Sequence, residues 1–569
     1  MMGNGTRILV AITVHKRLVI FLFLCSLAWS QAGYEPFLIA PIQTGKSIGV
    51  EPWLSPVDAF PTLQNARVNK GVLEKRQGYQ LFATMKHGSV EQSTTSIMGL
   101  HLYLKNGMPQ LLIFDTLRVN RYNPVDDSMT DITGDSDIFS GSNDDFFHFV
   151  NWLGVGYMTN NVDQIYQYDG TDDVEVFDIQ IDDDEADNHL HTCRFIFIKN
   201  DRMVLLDVVE HGDWLPQRCR YSPVLDTDFT ASGSGYVDAP TQERIVSAGW
   251  VGKDIVVFFQ GLYAGSLWKL RTTGDSDLPF RWEKMHTTDT SLAPYSLVEF
   301  NEGVSVIGLN NIIWYDGFKI QYIDLEKVRD IVDDFDSSKI RLSTAHNVIQ
   351  DQHIFYTYTS SGSSTPDRIL DYNILEKSWS VYTVDAHCFG TFNDQAVPIW
   401  TDADDIWSSS TALMSDMTLD SREVINDPFP FTLMGGRASK VYKFHTGNYD
   451  GTDDASGTIA MDIRSSRWNP YVKQNMSARF GRIAFLVDND EDASATVSFY
   501  KNSRSTAWTT RTLSCNSDDD GADKFWVSLH LGGEVGDFHR IKISHDERNN
   551  RPRIHAIMLL MKRGGPLNL

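Results

Sequence analysis

The chain has 569 residues, 42% of them hydrophobic and 12% aromatic, with 75 acidic against 50 basic side chains and a formal net charge of −25. That length provides for two or three domains or one large repeat fold, with ample apolar material for packed cores. The acidic balance argues against non-specific clamping of DNA or of an anionic membrane, although it suits a wall past which DNA slides without sticking.

Residues 1–32 read as a signal-like or dispensable N-terminal extension. Arg7, Lys16 and Arg17 precede the apolar run Leu18 to Ala28, and Ala28-Trp29-Ser30 or Ser30-Gln31-Ala32 offers a cleavage site. The run is short for a bilayer span, and Cys25 lacks the small preceding residue of a lipoprotein box, so no membrane anchor is expected. Two readings stay open: an export signal, or an extension from a misplaced start. The second requires a non-Met start codon, because no Met lies between Met2 and Met85.

Residues 33–93 form an N-terminal arm with the first strands. Pro52, Pro56 and Pro61 fix φ and remove backbone donors, which predicts an extended, punctuated segment. Phe60, Leu63, Ala66 and Val68 then alternate with polar residues, and a turn at Asn69-Lys70-Gly71 leads into Val72 to Tyr79, a strand meeting a bend. The stretch reads as a clamp on the start of a β domain.

Residues 94–399 are assigned to a β-propeller. Apolar runs such as Leu111 to Phe114, Phe195 to Ile198, Ile255 to Phe259 and His353 to Tyr356 are separated by Gly, Asn and Asp turns. One short helix is expected over Lys327 to Phe335. An aromatic residue next to a turn recurs at Tyr122, Tyr168, Tyr221, Trp268, Tyr315 and Tyr372, at successive separations of 46, 53, 47, 47 and 57 residues. Spacing in the mid-forties is what a four-stranded blade needs, and six recurrences predict about six blades between Thr94 and Tyr382. The acidic stretch Asp172 to Asp187 reads as a solvated inter-blade loop.

Residues 400–439, rich in Ser, Thr and Asp, read as a linker or wrapping segment, and residues 440–569 alternate again as the short strands of a C-terminal β-sandwich. Asp488 to Asp492 has alternate carboxylates, but Ala493 stands where a calcium loop has glycine and Phe499 where it has glutamate, so it reads as a hairpin tip. Cys193, Cys219, Cys388 and Cys515 are widely spaced, with no C-x-x-C, and are expected as free buried thiols. His148, His211, His353, His445, His539 and His555 are scattered in or beside strands. No nucleophile-elbow or zinc-protease pattern accompanies them, so no catalytic, cofactor or metal residue is assigned. A propeller hydrolase would use scattered carboxylates that leave no local motif.

The arm also carries a resemblance. Pro56, Asp58, Ala59, Phe60, Asn65, Gly71, Leu73, Arg76, Gly78 and Tyr79 reproduce a pattern that resembles the N-terminal region of tail nozzle and hub proteins (tail tubular protein B-like) of short-tailed bacteriophages. Asn311 to Phe335, Arg368 to Tyr382 and Pro216 to Phe229 are similar to propeller steps of those proteins, so that the likeness covers about three hundred residues. The resemblance implies a structural, non-enzymatic virion protein. It would act as a homo-oligomeric ring of six copies, forming part of the channel for genome ejection. Its partners would be tail adaptor or portal-proximal proteins and tail fibre or needle proteins, with only transient, non-specific passage of DNA. In such a ring the arm from Glu51 to Pro61 is expected to cross onto a neighbour. The rival reading, drawn mainly from residues 1–32, is a secreted or periplasmic propeller that binds or hydrolyses a glycan.

Overall fold

The computed structural model describes residues 33–567, apart from 394–429 and the short stretches 106–107, 125–127, 182–187, 263, 289–290, 301–302, 310, 326, 334, 349–350, 452–456, 491–492, 517–522 and 549. The extension 1–32 and most of the expected linker therefore lie outside the described residues.

The fold is all-β: a propeller, an N-terminal arm and a C-terminal β-sandwich. Six antiparallel sheets follow one another over residues 97–383, each with four consecutive strands in sequence order, the third carrying an extra short strand, Ile179–Gln180, on its inner side. The six recurrent aromatics all fall on the third strand of successive blades: Tyr122 on Val119–Asn123, Tyr168 on Tyr166–Tyr168 and Tyr221 on Asp213–Tyr221. Trp268 lies on Gly265–Thr272, Tyr315 on Ile312–Tyr315 and Tyr372 on Arg368–Asn373. The repeat is thus a strand marker, and all six rings are buried.

A seventh blade closes the ring, and it does not respect the expected boundaries. Cys388–Phe392, Phe431–Gly435 and Lys440–Phe444 supply three strands, and Tyr79–Thr84 from the arm supplies the fourth. The propeller therefore runs past residue 399, and a strand of it occupies part of the stretch read as linker. The inner strands touch in succession, from Ile97–Lys105 through His148–Trp152, His189–Lys199, Arg244–Val251, Val298–Phe300 and Ala345–Val348 to Cys388–Phe392, which packs back against Ile97–Lys105. Closure with a strand from the other end of the sequence fastens the circle.

The sandwich is likewise built from both ends of the chain. One sheet runs Lys524–Gly536, Met476–Asp488, Arg553–Pro566, Val72–Lys75 and Ala66–Asn69, with Glu35–Ile39 also paired to Arg553–Pro566. The facing sheet contains Met461–Arg464, His539–His545, Ser494–Lys501 and Thr509–Ser514. Alternation sends Ala495, Val497 and Phe499 inward against Ile483, Phe485 and Ile557 of the other sheet. Met476–Asp488 and Ser494–Lys501 pair in different sheets, so these two strands do not form the expected hairpin, and part of its tip, residues 491–492, lies outside the described residues. The short helix is present as Arg329–Asp333, and the four cysteines are buried free thiols.

The arm fuses the two bodies. Thr62–Gln64 pairs in parallel with the outer strand of blade six, Val381 against Gln64, and antiparallel with Met461–Arg464 of the sandwich. Residues 51–61 are held within their own chain: Pro52 accepts a hydrogen bond from the Arg467 amide at 3.0 Å, Ala59 from the Ser466 amide at 3.0 Å, and the Val57 carbonyl from Trp468 Nε1 at 2.9 Å. These contacts tie the backbone of the segment expected to reach a neighbour to the sandwich of its own chain.

Candidate functional site

The inner strands of a propeller converge on its axis, and here they enclose a cavity of about 410 Å³ to which all seven blades contribute. Phe147, Phe195, Phe197 and Phe389 give it an aromatic wall, while His101, His148, Tyr295, Glu299, His346 and Asn347 bring polar atoms to it. His101 Nε2 lies 3.0 Å from the Phe147 carbonyl, and the Asn347 side-chain amide donates to the Glu299 carbonyl at 3.0 Å. Burial lowers His101 to about 4, and the Phe147 carbonyl only partly opposes it. Burial, with a smaller contribution from His101, lowers His148 to about 3, and burial alone lowers His346 to about 4. All three rings are neutral at pH 7. Burial also raises Glu299, against the Trp250 amide that donates to it at 2.7 Å, and raises Tyr295, whose hydroxyl has no partner. Among the described residues Glu299 is the only carboxylate in the wall. Sequence reading singled out only His148 among these residues; counting back two strands from each recurrent aromatic would have reached the inner strands.

The ten residues of the arm pattern do not line this cavity. They gather where propeller, arm and sandwich meet. Asp58 receives the amides of Gln43 and Thr44 at 3.0 and 2.9 Å and the Thr44 hydroxyl at 2.7 Å, which fixes the turn behind Pro56. Ala59 and Phe60 are buried and pair with Gly45–Lys46. Asn65, in the left-handed region at φ 52°, donates to the Ala460 carbonyl at 2.8 Å. Its Oδ1 accepts Arg76 Nε at 3.0 Å and the Thr383 amide at 2.8 Å. One amide side chain thereby touches the sandwich side, the arm and blade six. Gly71, at φ 75°, closes the Asn69-Lys70-Gly71 turn that the sequence announced, and its amide donates to Glu376 at 2.6 Å. Leu73 sits in the sandwich core.

Arg76 is 1% exposed and holds Asp450 with both terminal nitrogens, Nη1 at 2.8 Å. Gly78 leaves no room for a side chain: an added Cβ would stand 1.8 Å from the Tyr449 carbonyl oxygen. Tyr79 then opens the strand that completes blade seven. Beside this row a second charge cluster is buried. Glu74 accepts Arg67 at 2.8 Å, Arg551 at 2.7 Å and Arg553 at 3.0 Å. Burial alone would raise Glu74, but the three guanidinium groups hold it below the usual carboxylate range. Lys75 reaches His545 Nδ1 and the carbonyls of Glu547 and Asn550, at 3.2, 2.7 and 3.2 Å. Of the scattered histidines, His353 pairs with Asp371 at 2.7 Å and His555 with Asp488 at 2.5 Å. Among the described residues no group of His, Cys, Asp or Glu is arranged to hold a metal ion, and no helix is long and apolar enough to cross a membrane.

The closed ring of blades makes this a β-propeller protein with an appended sandwich. No family model and no curated protein matches the chain. Among solved structures it is similar to an exo-β-1,3-galactanase from Phanerochaete chrysosporium, at 9% identity and a TM-score of 0.23, over 73% of this chain and 95% of that one. A gluconolactonase from Xanthomonas campestris aligns at 9% identity and a TM-score of 0.29, over 52% of this chain and 94% of that one. The dihydro-haem d1 dehydrogenase NirN aligns at 8% identity and a TM-score of 0.27, over 55% and 58% of the two chains. Scores this low assign no role to any residue here.

Proposed function

We propose that the chain is a structural subunit of the tail of a short-tailed phage, a hub or nozzle protein acting as a ring of copies around the passage for DNA. The observation that carries this reading is the use made of the ten pattern residues. They are spent on joining propeller to sandwich through buried, mutually satisfied contacts, from Asp58 to Tyr79. A part that bears load during genome ejection needs two bodies held in one orientation. The axial cavity, at about 410 Å³, is of small-ligand size and does not admit duplex DNA, so the passage lies between copies. The tip of the arm supports a contact there: Val50, Trp53, Leu54 and Val57 are 45 to 58% exposed although their backbone is anchored. The acidic charge of −25 keeps DNA contacts weak. Six copies, with adaptor and fibre proteins above and below, is the arrangement the resemblance implies.

A second reading is favoured by the aromatic axial cavity, which would suit one or two sugar rings in a glycan-binding protein. Hydrolysis there is less well supported, because glycosidases generally need two carboxylates and the wall offers only Glu299. Antibodies raised against the sandwich and imaged on purified particles separate the two. Label at one end of tailed particles is the expected result. Particles free of label, with the protein recovered as a secreted monomer that binds a glycan, would favour the second reading.

A further inference from the structure

A smaller cavity of about 150 Å³ adjoins the axial one, with Pro294 in both walls. Three arginines line it: Arg194 from the inner strand of blade three, Arg244 at the start of the inner strand of blade four, and Arg341 from the turn Ile340–Leu342 ahead of blade six. Gln260, Ser337 and Ser338 complete its polar lining, and among the described residues no carboxylate contributes.

The charges around it do not balance. Arg194 Nε is bound to Asp207 at 2.6 Å, and Asp207 also accepts Trp214 Nε1 at 2.7 Å. Arg244 has only a neutral acceptor, Gln260 Oε1, 2.7 Å from its Nε. Arg341 Nε stands 4.0 Å from Asp144 Oδ2. Two guanidinium groups therefore face one small cavity without a carboxylate at hydrogen-bond distance, in a chain whose acidic residues exceed its basic ones by half. Arg244 is held below its ordinary value, by burial first and then by Arg341 and Arg194, with Asp207 opposing. Both side chains keep access to water, and an anion in the cavity would give the two charges a shared counter-ion.

We propose that this pocket binds the terminal phosphate of a phosphomonoester. Three guanidinium forks approaching from three elements match the several acceptor oxygens of a tetrahedral dianion better than the two of a planar carboxylate. A cavity of about 150 Å³ takes one such group rather than a run of nucleic-acid backbone. The assignment does not depend on the tail reading.

The test is calorimetric titration of the full chain, at fixed ionic strength in chloride buffer, with inorganic phosphate and with glucose 6-phosphate. Saturable binding at one site per chain is expected, weakened at least about tenfold in the double variant Arg244→Gln, Arg341→Gln. Melting in chloride checks that the double variant is folded; if it is not, Arg341→Gln alone, at an exposed side chain, is expected to weaken binding by several-fold. No saturable binding of either probe, or unchanged affinity in the folded variant, overturns the proposal. Tighter binding of a single-stranded oligonucleotide than of the monoester overturns it as well.

Discussion

Arg76 and Asp450, 374 positions apart in the sequence, meet as a two-pronged ion pair with Arg76 buried at the seam between the arm and the outer edge of blade seven. The same guanidinium reaches Asn65 Oδ1 at 3.0 Å and packs 5.9 Å from the Tyr382 ring of blade six. A planar fork with several donors can serve all of these partners at once; an ammonium group cannot. Arg76→Ala strands Asp450 and Asn65 and is expected to cost about 3–5 kcal/mol. Arg76→Lys should recover less than half of that loss. Chemical denaturation of the two variants measures both values, and a near-neutral Arg76→Lys would show that the fork is not what matters.

Gly78 gives a steric test of how the propeller closes. A Cβ there meets backbone, the Tyr449 carbonyl at 1.8 Å, which no rotamer change relieves. Gly78→Ala should displace Tyr79–Thr84 from blade seven and cost more than about 4 kcal/mol. Gly88→Asn, in open space at φ +62°, is the contrasting change and should be worth less than about 1 kcal/mol. Thermal melting and limited proteolysis around blade seven distinguish them.

Acid should destabilise the fold well before its carboxylates titrate. Burial lowers His101, His346, His387, His445 and His545 to about 4 and His148 to about 3, whereas unfolded histidine titrates near 6.5. Above about pH 6.5 these rings are neutral in both states and contribute no slope. Between about 6.5 and 4 the unfolded chain binds protons that the folded chain refuses, so stability falls as pH falls. The melting temperature at pH 5 should lie at least about 5 °C below that at pH 7. A flat profile between those values would contradict the burial of the rings.

Much of this was legible in the sequence, and the reason is periodicity. A blade repeats its chemistry locally, so Tyr122, Tyr168, Tyr221, Trp268, Tyr315 and Tyr372 mark six third strands in order. The seventh blade repeats nothing. Its third strand is displaced by the long insertion between Phe392 and Phe431, and its fourth comes from Tyr79–Thr84. Pairing of that range leaves no local signal. The arm showed the same limit. Gly71 announced a turn and Gly78 a bend, and Arg76 belonged to the pattern between them. Their partners Glu376, Tyr449 and Asp450 stand hundreds of residues away. The pocket of Arg194, Arg244 and Arg341 was invisible for the same reason, being assembled from two blades and the turn ahead of blade six.

Self-association should depend on the apolar arm tip. Trp53, Leu54 and Val57 are exposed on a segment whose backbone is already satisfied, so truncating them leaves the fold intact. Trp53 touches Phe538 only at a tilted 6.2 Å, and the double variant Trp53→Ser, Leu54→Ser should melt within about 1 kcal/mol of the parent chain. Sedimentation velocity over a concentration series should show weaker assembly in that variant. Identical sedimentation would remove the tip from the interface.

The central claim is that this chain works as a ring, and native mass spectrometry of the purified full chain, alone and with a phage tail adaptor protein, tests it most directly. A closed assembly of six copies, lost in the Trp53→Ser, Leu54→Ser variant, is the result the account predicts. A strict monomer under both conditions, retaining a bound glycan, would contradict it.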